Sequence, residues 1–175
     1  SNFLGYTSLE NDQAFSWAME GYINDYGVSQ LAEVVGRSDE AAYFRNRSRY
    51  YVNLFNDNLG WFMGKNQNGE FRTNSENFNP SGWGWGGDYT ETNAWNMAFT
   101  VVQDGQGLAN LYGGRRAMEE KLDALFNDDL RNTFSGGIHE MKEAREVRMG
   151  QYHHSNQPAH HLIYMYNYAG TPYKT

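Results

Sequence analysis

Glu91 is the residue of this chain whose surroundings suit it best to acid–base chemistry. It stands in Gly-Trp-Gly-Trp-Gly-Gly-Asp-Tyr-Thr-Glu-Thr-Asn-Ala-Trp, residues 82–95, where Trp83, Trp85 and Asp88 come before it and Trp95 after. Glycines let a backbone approach a ligand closely, and indoles offer flat apolar platforms. A carboxylate set among aromatic rings is a candidate acid whose proton is held by desolvation. Tryptophan with carboxylates and Asn93 also suits a sugar, since pyranose rings stack on indole and hydroxyls need polar partners. The plainer alternative is a loop whose tryptophans cap the core, with Glu91 as a first-turn acid of the next helix.

A second stretch, Gly150 to His161, reads Gly-Gln-Tyr-His-His-Ser-Asn-Gln-Pro-Ala-His-His and holds four of the five histidines. Three readings stay open here. His154, His160 and His161 could supply nitrogen to zinc, although their spacing fits no standard zinc signature. The histidines could simply be hydrogen-bonded at a buried helix start. Asn156 and Gln157 could offer amide oxygens to calcium, a hard ion that prefers oxygen.

The elements that must position these two stretches are mainly helical. Apolar spacing predicts a helix from Ser8 to Gly36, through Phe15, Ala18, Tyr22, Tyr26, Leu31 and Val34. A second helix should begin at Ser38 and show Ala41, Phe44, Ser48, Tyr51 and Phe55 on one face, with Arg45, Arg47 and Arg49 solvated or ion-paired opposite. The two form a helical hairpin. From Asn56 to Thr92 the helical period is lost, and Asn68-Gly69 predicts a β-hairpin between Trp61–Met63 and Glu70–Arg72. Further helices are expected over 93–103, 105–111 and 115–127, an irregular charged stretch over 128–150, and a buried helix from Pro158 to Gly170.

Composition narrows the partners. A net charge of −7 argues against nucleic acid, which demands a basic footprint. No apolar run reaches membrane-spanning length, which predicts no membrane partner. The absence of cysteine excludes disulfides and thiolate metal sites. An aromatic content of 16% with a mean hydropathy of −0.79 suggests a wet cleft lined with rings.

Taken together the two stretches resemble a known family. Tyr89-Thr90-Glu91-Thr92-Asn93-Ala94-Trp95-Asn96 is similar to the Tyr-Thr-Glu-Gly-Asn-Ala-Trp-Gln motif of glycoside hydrolase family 92, the calcium-dependent exo-acting α-mannosidases. Gly150-Gln151-Tyr152 through His161 resembles that family's Gly-Gln-Tyr-x-His-Gly-Asn-Glu-Pro-Ser-His-His. Leu111–Arg115, Lys121–Asp123, Asn167–Pro172, Lys174-Thr175 and the early helix with Glu20, Asp25 and Gln30–Ala32 also fit, in order.

The resemblance implies a fold that is part of an (α/α)6 toroid of helical hairpins, with a long loop and a small β-hairpin carrying the site. Residues 1–175 would be a single segment, a fragment of that catalytic domain, secreted or periplasmic. Glu91 would be the general acid of an inverting hydrolysis of terminal α-linked mannose, on α-mannoside oligosaccharides or N-glycans. The general base is expected beyond residue 175, in the remainder of the catalytic domain, which would then be a partner of this segment. Trp83, Trp85, Trp95, His154 and Ser155 would contact sugar, and Asn156 and Gln157 would hold Ca2+. Gln157 stands where the family usually has Glu, which removes a full charge from that calcium site. Ser155 and Thr92 depart as well, from residues beside the leaving sugar and beside the acid. The alternative is a non-catalytic carbohydrate-binding or structural piece of the toroid.

Overall fold

The computed structural model describes residues 3–128 and 139–175. The chain is mainly helical, with one two-stranded antiparallel sheet among the described residues. Helix α1 (Ala14–Val34) and helix α2 (Ser38–Arg47) form the expected hairpin. Its charged side is ion-paired as anticipated, Arg47 with Asp25 at 3.0 Å and Arg45 with Glu33.

Two boundaries differ from the periodic reading, each for a tertiary reason. The N–H of Leu9 donates to the Lys65 carbonyl at 2.9 Å, which holds that segment outside the helix, and Gln13 is left-handed at φ 51°. Helix α1 therefore starts six residues after Ser8. Helix α2 ends at Arg47, and the expected continuation becomes a 3-10 turn (Tyr50–Leu54) running into strand β1 (Phe55–Asn56).

The β-hairpin lies upstream of the predicted one. Strand β2 (Trp61–Phe62) pairs back on β1, with Phe55 opposite Phe62. Asn56 organises this turn, its side-chain oxygen accepting the N–H of Asn58 and Leu59. Asn68-Gly69 does turn, with Gly69 at φ 85°, but it closes only a single bridge between Lys65 and Phe71.

Helices α3 (Ala94–Met97), α4 (Gly105–Leu111), α5 (Arg115–Asn127), α6 (His139–Val147) and α7 (Tyr166–Ala169) follow. Asn93 and Asp104 cap α3 and α4 by accepting the N–H groups of Asn96 and Gly107. Helix α6 falls in the stretch expected to be irregular. The segment expected as one helix from Pro158 is broken into 3-10 turns (Gln157–Ala159, Leu162–Met165) before α7, and Gly170 ends it at φ 88°. Helices α4, α5 and α7 pack on one another. Phe15, Tyr51, Phe62, Phe99, Leu108, Leu122 and Leu162 lie in the common core.

Candidate functional site

The loop before Glu91 is fixed from two sides. Tyr89 is fully buried, donates its hydroxyl to the Phe62 carbonyl at 2.7 Å and meets the Phe15 ring edge-on at 5.4 Å. On α1, the Ser16 hydroxyl donates to the Asp88 carbonyl at 2.7 Å and accepts the Thr90 N–H at 3.0 Å. Asp88 is buried against Arg72 at 2.8 Å and the Gly64 N–H at 2.8 Å. Burial raises its pKa, against the pull of Gly64 and Arg72. Every polar contact of Asp88 fixes the loop.

Glu91 itself is exposed, and its backbone is left-handed at φ 57°. It lines a cleft of about 550 Å³ with Trp17 and Glu20 of α1, Thr100, Gln157 and His161. The aromatic enclosure expected around the carboxyl is therefore replaced by an open wall. Trp17 and Glu20 lie outside both motif stretches. Their spacing of three on a helix puts them on one face, but only the packing of α1 shows that this face is the cleft.

A buried amide network joins the two motif stretches. Asn93 Nδ2 donates to Gln151 Oε1 at 2.9 Å, and Asn96 Nδ2 donates to Asn93 Oδ1 at 2.8 Å and to the Gln151 carbonyl at 2.9 Å. Gln151 Nε2 in turn donates to Ser81 Oγ at 2.8 Å and to Asp128. The stretch follows α6 and meets the end of α5 at Gly150, where a Cβ would stand 2.2 Å from the Leu125 carbonyl oxygen at φ +59°. Gly150 therefore lets the Gln151 N–H reach that carbonyl at 2.7 Å. At the far end, buried Asn156 donates Nδ2 to the Glu91 carbonyl at 3.0 Å and to Glu91 Oε2 at 3.3 Å.

The other candidates are distributed around this pair. Gln157 shares the cleft wall with Glu91. The Trp83 ring meets buried His153 edge-on at 4.9 Å. Trp95 packs on Trp61 at 4.7 Å and donates to Ser81 at 3.2 Å, so its indole serves the packing around Ser81 and is not among the cleft residues. The Trp85 side chain lies outside the described residues. His154 is exposed, bonded through Nδ1 to the Tyr152 hydroxyl and near the His160 ring at 5.3 Å. Ser155 is exposed and bonds Glu143 of α6, whose pKa is lowered first by His139 and then by Ser155.

His160 and His161 are anchored to carbonyls, of His154 at 2.9 Å and of Phe99 at 2.8 Å. No cluster of three or more His, Asp or Glu fit for a metal occurs among the described residues. His154, His160 and His161 are thus hydrogen-bonded, whereas both ring nitrogens of buried His153 lack a hydrogen-bond partner among the described residues. Burial lowers the pKa of His153 and of His161, so both favour the neutral ring.

The glycosyl hydrolase family 92 catalytic domain model matches residues 1–175. The chain is similar to the inverting GH92 mannosidase BT2199 of Bacteroides thetaiotaomicron, with 33% identity, a TM-score of 0.80, and coverage of 99% of this chain and 23% of that one. It is also similar to the GH92 α-mannosidase BT3965 of the same bacterium, solved in complex with mannoimidazole. There the identity is 30%, the TM-score 0.83, and the coverage 98% of this chain and 22% of that one. The chain thus spans under a quarter of the length of these relatives. No curated protein matches it.

Proposed function

Because this chain belongs to glycosyl hydrolase family 92, we propose that it forms the proton-donating wall of a site that hydrolyses terminal α-linked mannose with inversion. Glu91 is the general acid. The observation that carries this reading is the Glu91 carboxyl on the wall of a cleft of about 550 Å³, inside the range of about 300–1,000 Å³ typical of small-molecule sites. Trp17, 68% exposed on the same wall, offers an apolar face for a sugar ring. Glu91 protonates the departing oxygen while water, activated by a second carboxylate, attacks from the opposite face.

The family's calcium fits the donor set in a limited way. Asn156 turns Nδ2 toward Glu91 and keeps Oδ1, and Gln157 is exposed on the cleft wall. These two neutral oxygens would hold a hard ion whose shell is completed by water and sugar hydroxyls. When bound, the ion supplies positive charge to the hydroxyls it touches.

The test is Glu91→Gln in the complete gene product, assayed on an alkyl α-mannoside and on an activated nitrophenyl α-mannoside. A positioned acid contributes about 10²–10⁴-fold, so turnover of the alkyl substrate should fall by that order while the nitrophenyl substrate loses far less. Equal losses on both would remove Glu91 from the role.

A further inference from the structure

Asn156 contacts the acid in a way that a metal ligand alone does not require. Its amide lies against two oxygens of one residue, the Glu91 carbonyl at 3.0 Å and Glu91 Oε2 at 3.3 Å. An Asn side chain can be turned either way, but only its NH₂ can bond two acceptors, so the orientation is fixed by its neighbours. The backbone of Asn156 is fixed too. Its N–H donates to the His153 carbonyl at 3.1 Å, and its carbonyl accepts the Ala159 N–H at 3.1 Å. The side chain is buried, while its target is exposed and left-handed at φ 57°. A non-glycine residue in that region is strained and persists only when the surroundings over-determine it.

We infer that Asn156 is a positioning residue for the general acid: its side-chain N–H group clamps both the strained backbone of Glu91 and one carboxyl oxygen. The inference rests on Glu91 being the acid. With Oε2 engaged by the amide, Oε1 is the oxygen that carries the proton. That proton passes to the glycosidic oxygen, the electron pair of the breaking C–O bond goes to the same oxygen, and the alcohol leaves neutral. Water supplies the hydroxyl that replaces it and gives up its own proton to the base.

This role uses the nitrogen of Asn156, whereas calcium would use its oxygen, and the two separate experimentally. The complete gene product is prepared as wild type, Glu91→Gln, Asn156→Ala and Asn156→Asp, and assayed on an alkyl and a nitrophenyl α-mannoside. Calcium binding is measured separately by calorimetry. Both Asn156 variants should lose about 10²-fold in kcat/KM on the alkyl substrate and much less on the nitrophenyl one, the selectivity of a misplaced acid. Asn156→Asp keeps the shape and an oxygen for the ion, so its alkyl-selective loss should appear even where calcium is still bound. Equal losses on the two substrates, or near wild-type turnover of the alkyl substrate by Asn156→Asp, would overturn the clamp. If Glu91→Gln itself fails to discriminate between the substrates, the acid assignment falls and the clamp falls with it. Selectivity in Glu91→Gln alone leaves the acid standing and rejects the clamp.

Discussion

At the scale of single residues, the local chemistry is set at the Glu91–Asn156 contact and at the buried Lys121 ammonium. Glu91 and Asn156 stand in motifs whose spacing carries the family resemblance, and the fold brings them within hydrogen-bonding distance. Trp95 belongs to the same motif, yet its ring is packed on Trp61, and no pattern of types tells a packed indole from an offered one. Lys121 was equally silent. Its ammonium lies 3.4 Å from the Trp61 ring centroid and 5.0 Å from that of Tyr112, and it donates to the Gly60 carbonyl at 3.1 Å. Burial takes its pKa down to about 8, against an ordinary value of about 10.4. The rings favour the cation and offset part of that burial. Below about pH 8 both folded and unfolded chains hold this proton, and the folded state carries the whole penalty. Between there and pH 10 the folded state releases it first, the unfolded chain binds more protons, and stability rises with pH. Relative to Lys121→Met, the wild type should therefore gain about 1–3 kcal/mol from pH 7 to pH 10, read by denaturant unfolding of each at both pH values. A difference that stays flat would mean that the cage holds an ordinary lysine.

At the scale of elements, long periodic segments were readable and short ones were not. The α1–α2 hairpin and α5 follow from apolar spacing, and α5 buries Met118, Leu122 and Leu125 at steps of four and three. Strands of two residues carry no alternation, so the sequence does not mark the hairpin at Phe55–Phe62, whereas Asn68-Gly69 carries a strong turn signal. The segment after Pro158 splits where His161 reaches across to the Phe99 carbonyl, a contact with a residue 62 positions away. Gly150 shows how one element hands geometry to the next. Replacing it with alanine puts a Cβ 2.2 Å from a backbone oxygen of α5 in a left-handed position. The strained backbone alone costs roughly 1–3 kcal/mol, and the clash adds to it. Gly150→Ala should thus lower the unfolding midpoint and weaken sugar binding together, since Asn156 follows six residues on. A variant with a lower midpoint and unchanged affinity would uncouple the loop from α5.

At the scale of the whole molecule, α1 leaves one face bare. Trp17, Val28, Leu31 and Val35 are exposed, at spacings that return to the same side of a helix, and Gly21 between them faces open space. Exposed large apolar side chains such as these can attract partners. Residues 1–175 produced alone should self-associate, and Leu31→Lys should reduce that association, as followed by light scattering. A monodisperse monomer at high concentration would show that the face is tolerated in water.

The tie between the two motif stretches has a consequence for behaviour in brine. Asn93, Asn96, Gln151 and Ser81 are neutral and buried, with Asp128 the one charge at the edge of their network among the described residues. Mobile ions shrink the reach of charges to about 3 Å at 1 M ionic strength but leave contact between amide dipoles untouched. Screening weakens partly exposed ion pairs, among them Asp25 with Arg47 and Glu33 with Arg45 between α1 and α2. Concentrated salt should therefore weaken these exposed pairs while leaving the amide tie between the two motif stretches in place.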